Sequence, residues 1–190
     1  MAFMVVFCVM GAFAAPEKGT MMDSRDGMTY RTVKIGKQVW TAENLNHKTE
    51  NSYCYKDDEA NCSKYGRLYT WKAAQKACPV GWHLPSEEEF KTLFETVGGE
   101  AVAGKILKST SGWKENGNGD DTFGFSALPA GCKFDKVNFI AEGNNAGFWS
   151  STEHSRLVAS SMGLDVSVDN ANLFVSNDKN YGFSVRCLKD

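Results

Sequence analysis

The sequence predicts an α+β fold, two main helices packed on antiparallel sheets with long ordered loops. Three observations carry it. Residues 66–99 read as helix, tight extended link and helix; several segments on either side alternate apolar and polar residues as strands do; and the stretch from Gly112 to Gly131 is rich in Gly, Asn and Asp.

The helices come first because their boundaries are chemically marked. Thr70 is placed to cap a first helix that puts Trp71, Ala74, Ala77 and Cys78 on one side, with Pro79 and Gly81 ending it. Ser86-Glu87-Glu88-Glu89 is a capping box: the Ser86 hydroxyl takes the Glu89 amide, and the Glu89 carboxylate reaches back to the Ser86 amide. Phe90, Leu93, Phe94 and Val97 follow at the spacing of one buried helical face. Gly98-Gly99 supplies the stop, because glycine enters the left-handed conformation without a side-chain clash. The Glu87–Glu89 run suits a helix N-terminus, where the dipole favours negative charge, better than it suits paired catalytic carboxylates.

Strands surround this pair. Tyr30 to Trp40 reads as a hairpin turning at Gly36-Lys37. A short helix is expected over Ala103–Leu107, and long loops from Gly112 to Gly131. Phe148-Trp149 opens a buried strand. Met162, Leu164, Val166 and Val168 alternate with other residues, which predicts one covered and one wet face; Asp169–Asn172 turns, and Leu173–Val175 returns. Phe183, Val185 and Cys187 form a last strand. No repeat or linker divides the chain, and 190 residues fit one domain.

A formal net charge of −2 without any Lys/Arg cluster argues against nucleic-acid binding, which needs a concentrated basic surface. Residues 1–15 are apolar and carry no charge, and Ala12-Phe13-Ala14 offers the small-x-small pattern of a signal peptidase site. The expected organisation is a signal peptide over 1–14, a short extension over 15–27 and one domain over 28–190, secreted or periplasmic or on the outer cell surface. No Lys or Arg precedes the apolar run, a departure from the usual leader. No apolar run of about 20 residues follows it, so no membrane span is expected after cleavage.

Export makes cysteine pairing meaningful. With Cys8 in the leader, Cys54, Cys62, Cys78, Cys132 and Cys187 remain, an odd number. Cys54 and Cys62 bracket a short polar loop and are the obvious local pair. Tying Cys78 to Cys187 would close nearly the whole domain into one loop, at roughly 4–5 kcal/mol on chain-entropy arithmetic. Cys132 would then be a free thiol, read either as a small buried apolar residue or as an intermolecular bridge. No C-x-x-C spacing supports a metal site.

The segments KIGKQVWTAENLN, YGRLYTWKAA, CPVGWHLPSEEEF, GFSALPAG, FWSSTEHS and GFSVRCLKD occur in this order within residues 28–190. Together they resemble the Fibrobacter succinogenes major paralogous domain, a family of secreted bacterial domains with no established activity. The helix cysteine, GWHLP and terminal VRC arrangement is also similar to C-type lectin-like domains and to the formylglycine-generating (sulfatase-modifying) fold. The resemblance implies a C-type lectin-like fold. It also implies that Cys78 pairs with Cys187, as the first-helix and final-strand cysteines do in lectin-like domains. The family commonly has an aromatic residue where this chain has Cys132.

Chemistry is less legible. Formylglycine-generating relatives use two copper-binding cysteines, and four of the five here are better explained as structural. His47, His83 and His154 each stand alone, and no G-x-S-x-G elbow is present. The Glu-Pro-Asn or Gln-Pro-Asp and Trp-Asn-Asp elements of calcium-dependent lectins are missing. Asn116, Asn118 and Asp120, followed by Asp121, put oxygens at alternate positions, which names calcium at Asn116, Asn118 and Asp120 as the candidate cation site. The competing reading is turn-making. No other cofactor is expected. Trp71 and Trp149 are expected in the core, and Trp113, opening the polar loop, is the candidate exposed platform. The expected function is a non-catalytic binding or adhesion module at the bacterial cell surface, its ligand a polysaccharide or a protein. Its contact face would be the loops Trp113–Phe125 and Asn144–Ser155. The alternatives are an enzyme on a formylglycine-generating-like scaffold and a structural envelope component.

Overall fold

The computed structural model describes residues 15–135 and 137–190; the expected signal peptide, 1–14, lies outside the described residues. The elements are β1 (Lys18–Met22), β2 (Thr29–Ile35), β3 (Gln38–Thr41), β4 (Ser52–Tyr53), α1 (Glu59–Tyr65), β5 (Leu68–Tyr69), α2 (Trp71–Ala74), β6 (Trp82–His83), α3 (Glu87–Thr96), α4 (Glu100–Leu107), β7 (Cys132–Lys133), β8 (Phe139–Ile140), β9 (Asn145–Glu153), β10 (Val158–Asp165), β11 (Ala171–Asp178) and β12 (Leu188–Lys189). The fold is α+β, mostly strands with few helices. Every pairing between these strands is antiparallel.

The strands form a five-stranded sheet, β1-β2-β3-β12-β6, a three-stranded sheet, β11-β10-β9, and two short ribbons, β4-β5 and β7-β8. The hairpin at Gly36-Lys37 forms in the expected register, Ile35 facing Gln38. Helix α3 keeps its capping box, with both reciprocal hydrogen bonds present. Its Phe90, Leu93 and Phe94 are buried against Val33, Ile35 and Trp40 on one side and Phe148, Met162 and Leu164 on the other. The Trp40 ring stacks on Phe90 at 5.4 Å. A second cluster holds Tyr69, Ala74, Ala77, Trp149, Phe183, Val185 and Cys187. It surrounds the Cys78–Cys187 disulfide, which ties the end of the α2 turn to the chain just before β12 across 109 residues. A second disulfide joins Cys54 to Cys62, and Cys132 is free.

Several expectations need correction. The segment between Cys54 and Cys62, expected as a loop, contains the start of helix α1, because Asp58 caps it by accepting the Ala60 amide. The first predicted helix is a single turn, α2. Thr70 makes no side-chain cap, and the chain tightens into i+3 turns through Ala77. Trp71 is therefore half-buried, its indole N–H donating to the Ser150 carbonyl at 2.8 Å. Residues 18–22, placed in an N-terminal extension, form the edge strand β1 against β2. Strand β10 is covered on both faces over Ala159–Leu164, with the Phe174 ring seated over Gly163, so strict alternation ends there. Val166 lies past the strand and Val168 is exposed. The last strand shrinks to β12. Phe183 and Ser184 reach only isolated bridges with Tyr69 and Phe148.

Candidate functional site

Of the two loops expected as the contact face, Trp113–Phe125 is folded onto itself, and Asn144–Ser155 is mostly strand β9. Trp113 is 5% exposed, so it is no platform. Its indole N–H donates to the Ala127 carbonyl at 3.0 Å and the Ser109 hydroxyl at 3.2 Å. The buried Lys108 ammonium sits 5.2 Å from its ring and donates to the carbonyls of Asp165 and Val168, both at 3.0 Å. Of the three side chains offered to calcium, two are engaged locally. Asn118 Oδ1 accepts the Trp113 amide at 3.1 Å, and Asp120 faces Lys105 Nζ at 3.5 Å. Asp121 accepts the Ser126 amide and hydroxyl at 2.7 and 2.6 Å. Asn116 stands exposed at φ 59°. Added Cβ atoms at Gly117 and Gly119 would meet the carbonyls of Val166 and Lys108 at 2.3 and 2.2 Å. The glycines permit close backbone approach, and turn-making describes this loop.

Arg186 completes that construction. It is fully buried and donates to Asn44 Oδ1 and to the carbonyls of Thr41, Phe125 and Ser126. Its guanidinium lies 4.7 Å from the Phe125 ring and 5.6 Å from Phe148. Burial pulls its pKa down, yet every contact asks for the charged form, which is the only form arginine offers in proteins. The sequence shows Arg186 only as the middle of VRC, with nothing to mark it as the pin of three segments.

The histidines, solitary in sequence, each meet a carboxylate in space. His47 Nδ1 lies 2.7 Å from Asp26. His83 bridges Asp190 at 2.6 Å and Glu89 at 2.9 Å. His154 Nε2 lies 2.6 Å from Ser160 and 3.1 Å from Glu87, and Ser160 donates to the same Glu87 oxygen at 2.7 Å. Hydrogen bonds from Ser160 and Lys91, with His154, hold Glu87 down at about 2 despite burial. This is not a serine triad, because one imidazole nitrogen meets both partners and the buried hydroxyl already donates to the carboxylate. Asp23, Asp26 and His47 bring ligand atoms within 4.8 Å of one another. Arg25 already fills the cation's role there, gripping Asp23 through two guanidinium hydrogen bonds of 2.8 and 2.6 Å. In the cluster Cys54, Glu59 and Cys62 both sulfurs are in the disulfide. Cys132 is half-buried, and burial pushes its thiol up to about 11, so no thiolate is available near neutral pH.

Elsewhere the surface carries an open groove. Two adjoining hollows of about 570 and 400 Å³ share Asn51, Thr70 and Asn180. Tyr53, Lys133, Phe134, Asp135, Asp178 and Tyr181 line the larger; Trp71, Lys72, Arg156, Leu157 and Lys179 line the smaller. Backbone bonds fix the floor. The Thr70 amide donates to Asn51, that of Trp71 to Lys179, and that of Lys179 to Leu157; Lys133 and Gly182 exchange a pair. Aromatic rings stand at the surface. Phe134 is 45% exposed and lies 4.9 Å from the Tyr181 ring at an interplanar angle of 30°. Tyr53, Trp71 and Tyr181 are half-buried. Lys179 Nζ sits 4.3 Å over the Trp71 ring. A hollow of about 260 Å³ elsewhere is lined by Tyr30 and Tyr65, but both are buried and their hydroxyls engage Asn46 and Glu142.

With this geometry in place the chain can be classed. The family model of the Fibrobacter succinogenes major domain matches residues 33–189, and the chain belongs to that family. No curated protein and no solved structure matches it.

Proposed function

We propose that this chain is a secreted, non-catalytic binding module of the bacterial cell surface, on a C-type lectin-like scaffold, that holds a polysaccharide in the groove beside Trp71. The carrying observation is the exposed Phe134–Tyr181 ring pair at one end of a groove that also offers Asn51, Thr70 and Asn180. Sugar rings present an apolar C–H face and a rim of hydroxyls, and flat aromatic surfaces beside amides and hydroxyls complement both. The scaffold reading is supported by the Cys78–Cys187 staple between an early helical turn and the C-terminal strand. The secreted reading is supported by the apolar leader and two disulfides. Of the five cysteines after the leader, only Cys132 is unpaired, and its thiol is protonated near neutral pH. A paired-cysteine copper centre would lack its ligands.

The test is a retention screen of the purified chain on plant and bacterial polysaccharides, with and without calcium. Retention on at least one polymer is expected, falling at least about tenfold in Phe134→Ala/Tyr181→Ala, as loss of ring stacking implies. Phe134→Ala alone should also lower retention and should shift the melting temperature little, because Phe134 is exposed, whereas loss of Tyr181, packed in part on the second cluster, also costs stability. Failure to bind any polysaccharide, or binding indifferent to that double change, overturns the reading.

A further inference from the structure

We infer that the groove is built for an anionic polysaccharide, its acidic group held by Lys72 and Arg156; this rests on the groove being the glycan site. The two hollows differ in charge. Around the larger one stand Lys133, Asp135 and Asp178. Both carboxylates there are already employed. Asp135 accepts the amides of Val137 and Asn138 and the Asn138 side chain, and these bonds hold its pKa down; Asp178 accepts the amide and side chain of Asn180. Around the smaller one the charged residues are all cations: Lys72, Arg156 and Lys179. Lys179 is committed to Glu153, the Ser155 carbonyl and the Trp71 ring. Lys72 and Arg156 are exposed, and among the described residues neither side chain has a hydrogen-bond or ion-pair partner.

The groove thus offers two exposed cations without a partner among the described residues, Lys72 and Arg156, beside two occupied carboxylates, on a chain whose formal net charge is −2. Surface charge of the opposite overall sign, concentrated where the rings are exposed, selects its ligand by sign. The guanidinium of Arg156 presents a planar fork suited to a carboxylate or sulfate, and Lys72 adds a mobile point charge. A neutral glycan would leave both ions solvated and contribute nothing to them. A polymer with one acidic group per sugar would place an anion at the Trp71 end while a neighbouring ring lies against Tyr181 and Phe134.

The experiment compares retention of the purified chain on polygalacturonate, its methyl ester, dextran and dextran sulfate. An anionic polymer is expected to be held at least about tenfold more tightly than its uncharged counterpart, the scale of two exposed ion pairs. The preference should fade as salt rises to about 0.5 M. Polygalacturonate against dextran sulfate identifies carboxylate or sulfate as the source. Lys72→Gln/Arg156→Gln should erase the preference without moving the melting temperature, both residues being exposed and unpartnered. Equal retention of charged and uncharged polymers, or a preference that survives the double change, overturns the inference. If the uncharged polymers are then still held and are lost in Phe134→Ala/Tyr181→Ala, the glycan reading stands without it. Retention of none of the four, nor of any polymer in the wider screen, ends both.

Discussion

Residues 108–131 and the groove beside Trp71 draw on the same residue types: tryptophan, lysine, asparagine, aspartate. In the first region the inward-facing polar groups have internal partners, while Lys114, Glu115 and Asn116 stand exposed. Trp113 donates inward, Lys108 and Arg186 spend their charges on backbone carbonyls, and Asp121 closes on Ser126. In the second, Lys72 and Arg156 have no partner among the described residues, and Phe134 shows nearly half its surface. Polar richness therefore does not mark a contact face. Unspent hydrogen-bonding capacity and uncovered ring area do, and both are properties of the folded chain.

The sharpest way to break this contrast is Arg186→Met. It leaves four acceptors without their donor: Asn44 Oδ1 and the carbonyls of Thr41 and Phe125, which are buried, and that of Ser126, which is partly so. At roughly 1 kcal/mol or more for each orphaned group, the loss is about 4 kcal/mol at least. That is a large fraction of the stability of an ordinary domain. Urea unfolding at fixed pH measures it. A loss under about 1 kcal/mol would mean that water replaces the guanidinium and that the loop is not pinned as described.

Trp113→Ala comes next. If Trp113 were a surface platform the change would leave stability alone. Buried as it is, truncation should cost about 3–5 kcal/mol through the cavity and the lost indole hydrogen bonds. Thermal and urea denaturation decide between the two. Whatever retention the proposed groove gives on polysaccharide should survive in protein that remains folded, since the groove is lined by other segments.

What the sequence discloses follows from how far each interaction reaches. The α3 capping box spans three residues and its apolar face repeats every three or four, so both boundaries and buried face are readable. The same holds for the turn at Gly36-Lys37. Helix boundaries and strand alternation supply the α+β class, and the family resemblance supplies the Cys78–Cys187 link. The first helix is misjudged because its start is set by a distant contact, the Trp71 amide donating to Lys179 over a hundred residues away, and because after one turn the chain tightens into i+3 turns. The groove is invisible for the same reason. Asn51, Trp71, Phe134, Arg156 and Tyr181 lie on separate segments, and no local pattern joins them. Arg186 is likewise silent, since its three carbonyl acceptors belong to chain 60 to 145 residues distant.

The smallest effect tests a third kind of site, the carboxylate-bound histidine. His83 lies between Glu89 and Asp190 and so ties the start of α3 to the C-terminal residue. Burial works against its charge, but hydrogen bonds to Asp190 and Glu89 outweigh that and raise its pKa. Burial likewise opposes ionisation of Glu89, and the Ser86 amide together with His83 overcomes it and lowers its pKa. The signs follow by linkage. The histidine's contribution is complete below its unfolded value, about 6.5, and is lost as pH rises through the higher folded value. The contribution of Glu89 is present above its unfolded value, about 4.3, and is lost as pH falls. Both side chains are a third or more exposed, so solvent screening limits the pair to under about 1 kcal/mol. The melting temperature of the wild type should exceed that of His83→Gln near pH 6, and the gap should narrow as pH rises through the raised folded value. A gap that is flat as pH rises, or that widens toward alkaline pH, would show that the imidazole is held neutral. The link between α3 and the C-terminus would then be a single hydrogen bond from a neutral imidazole to one of the two carboxylates.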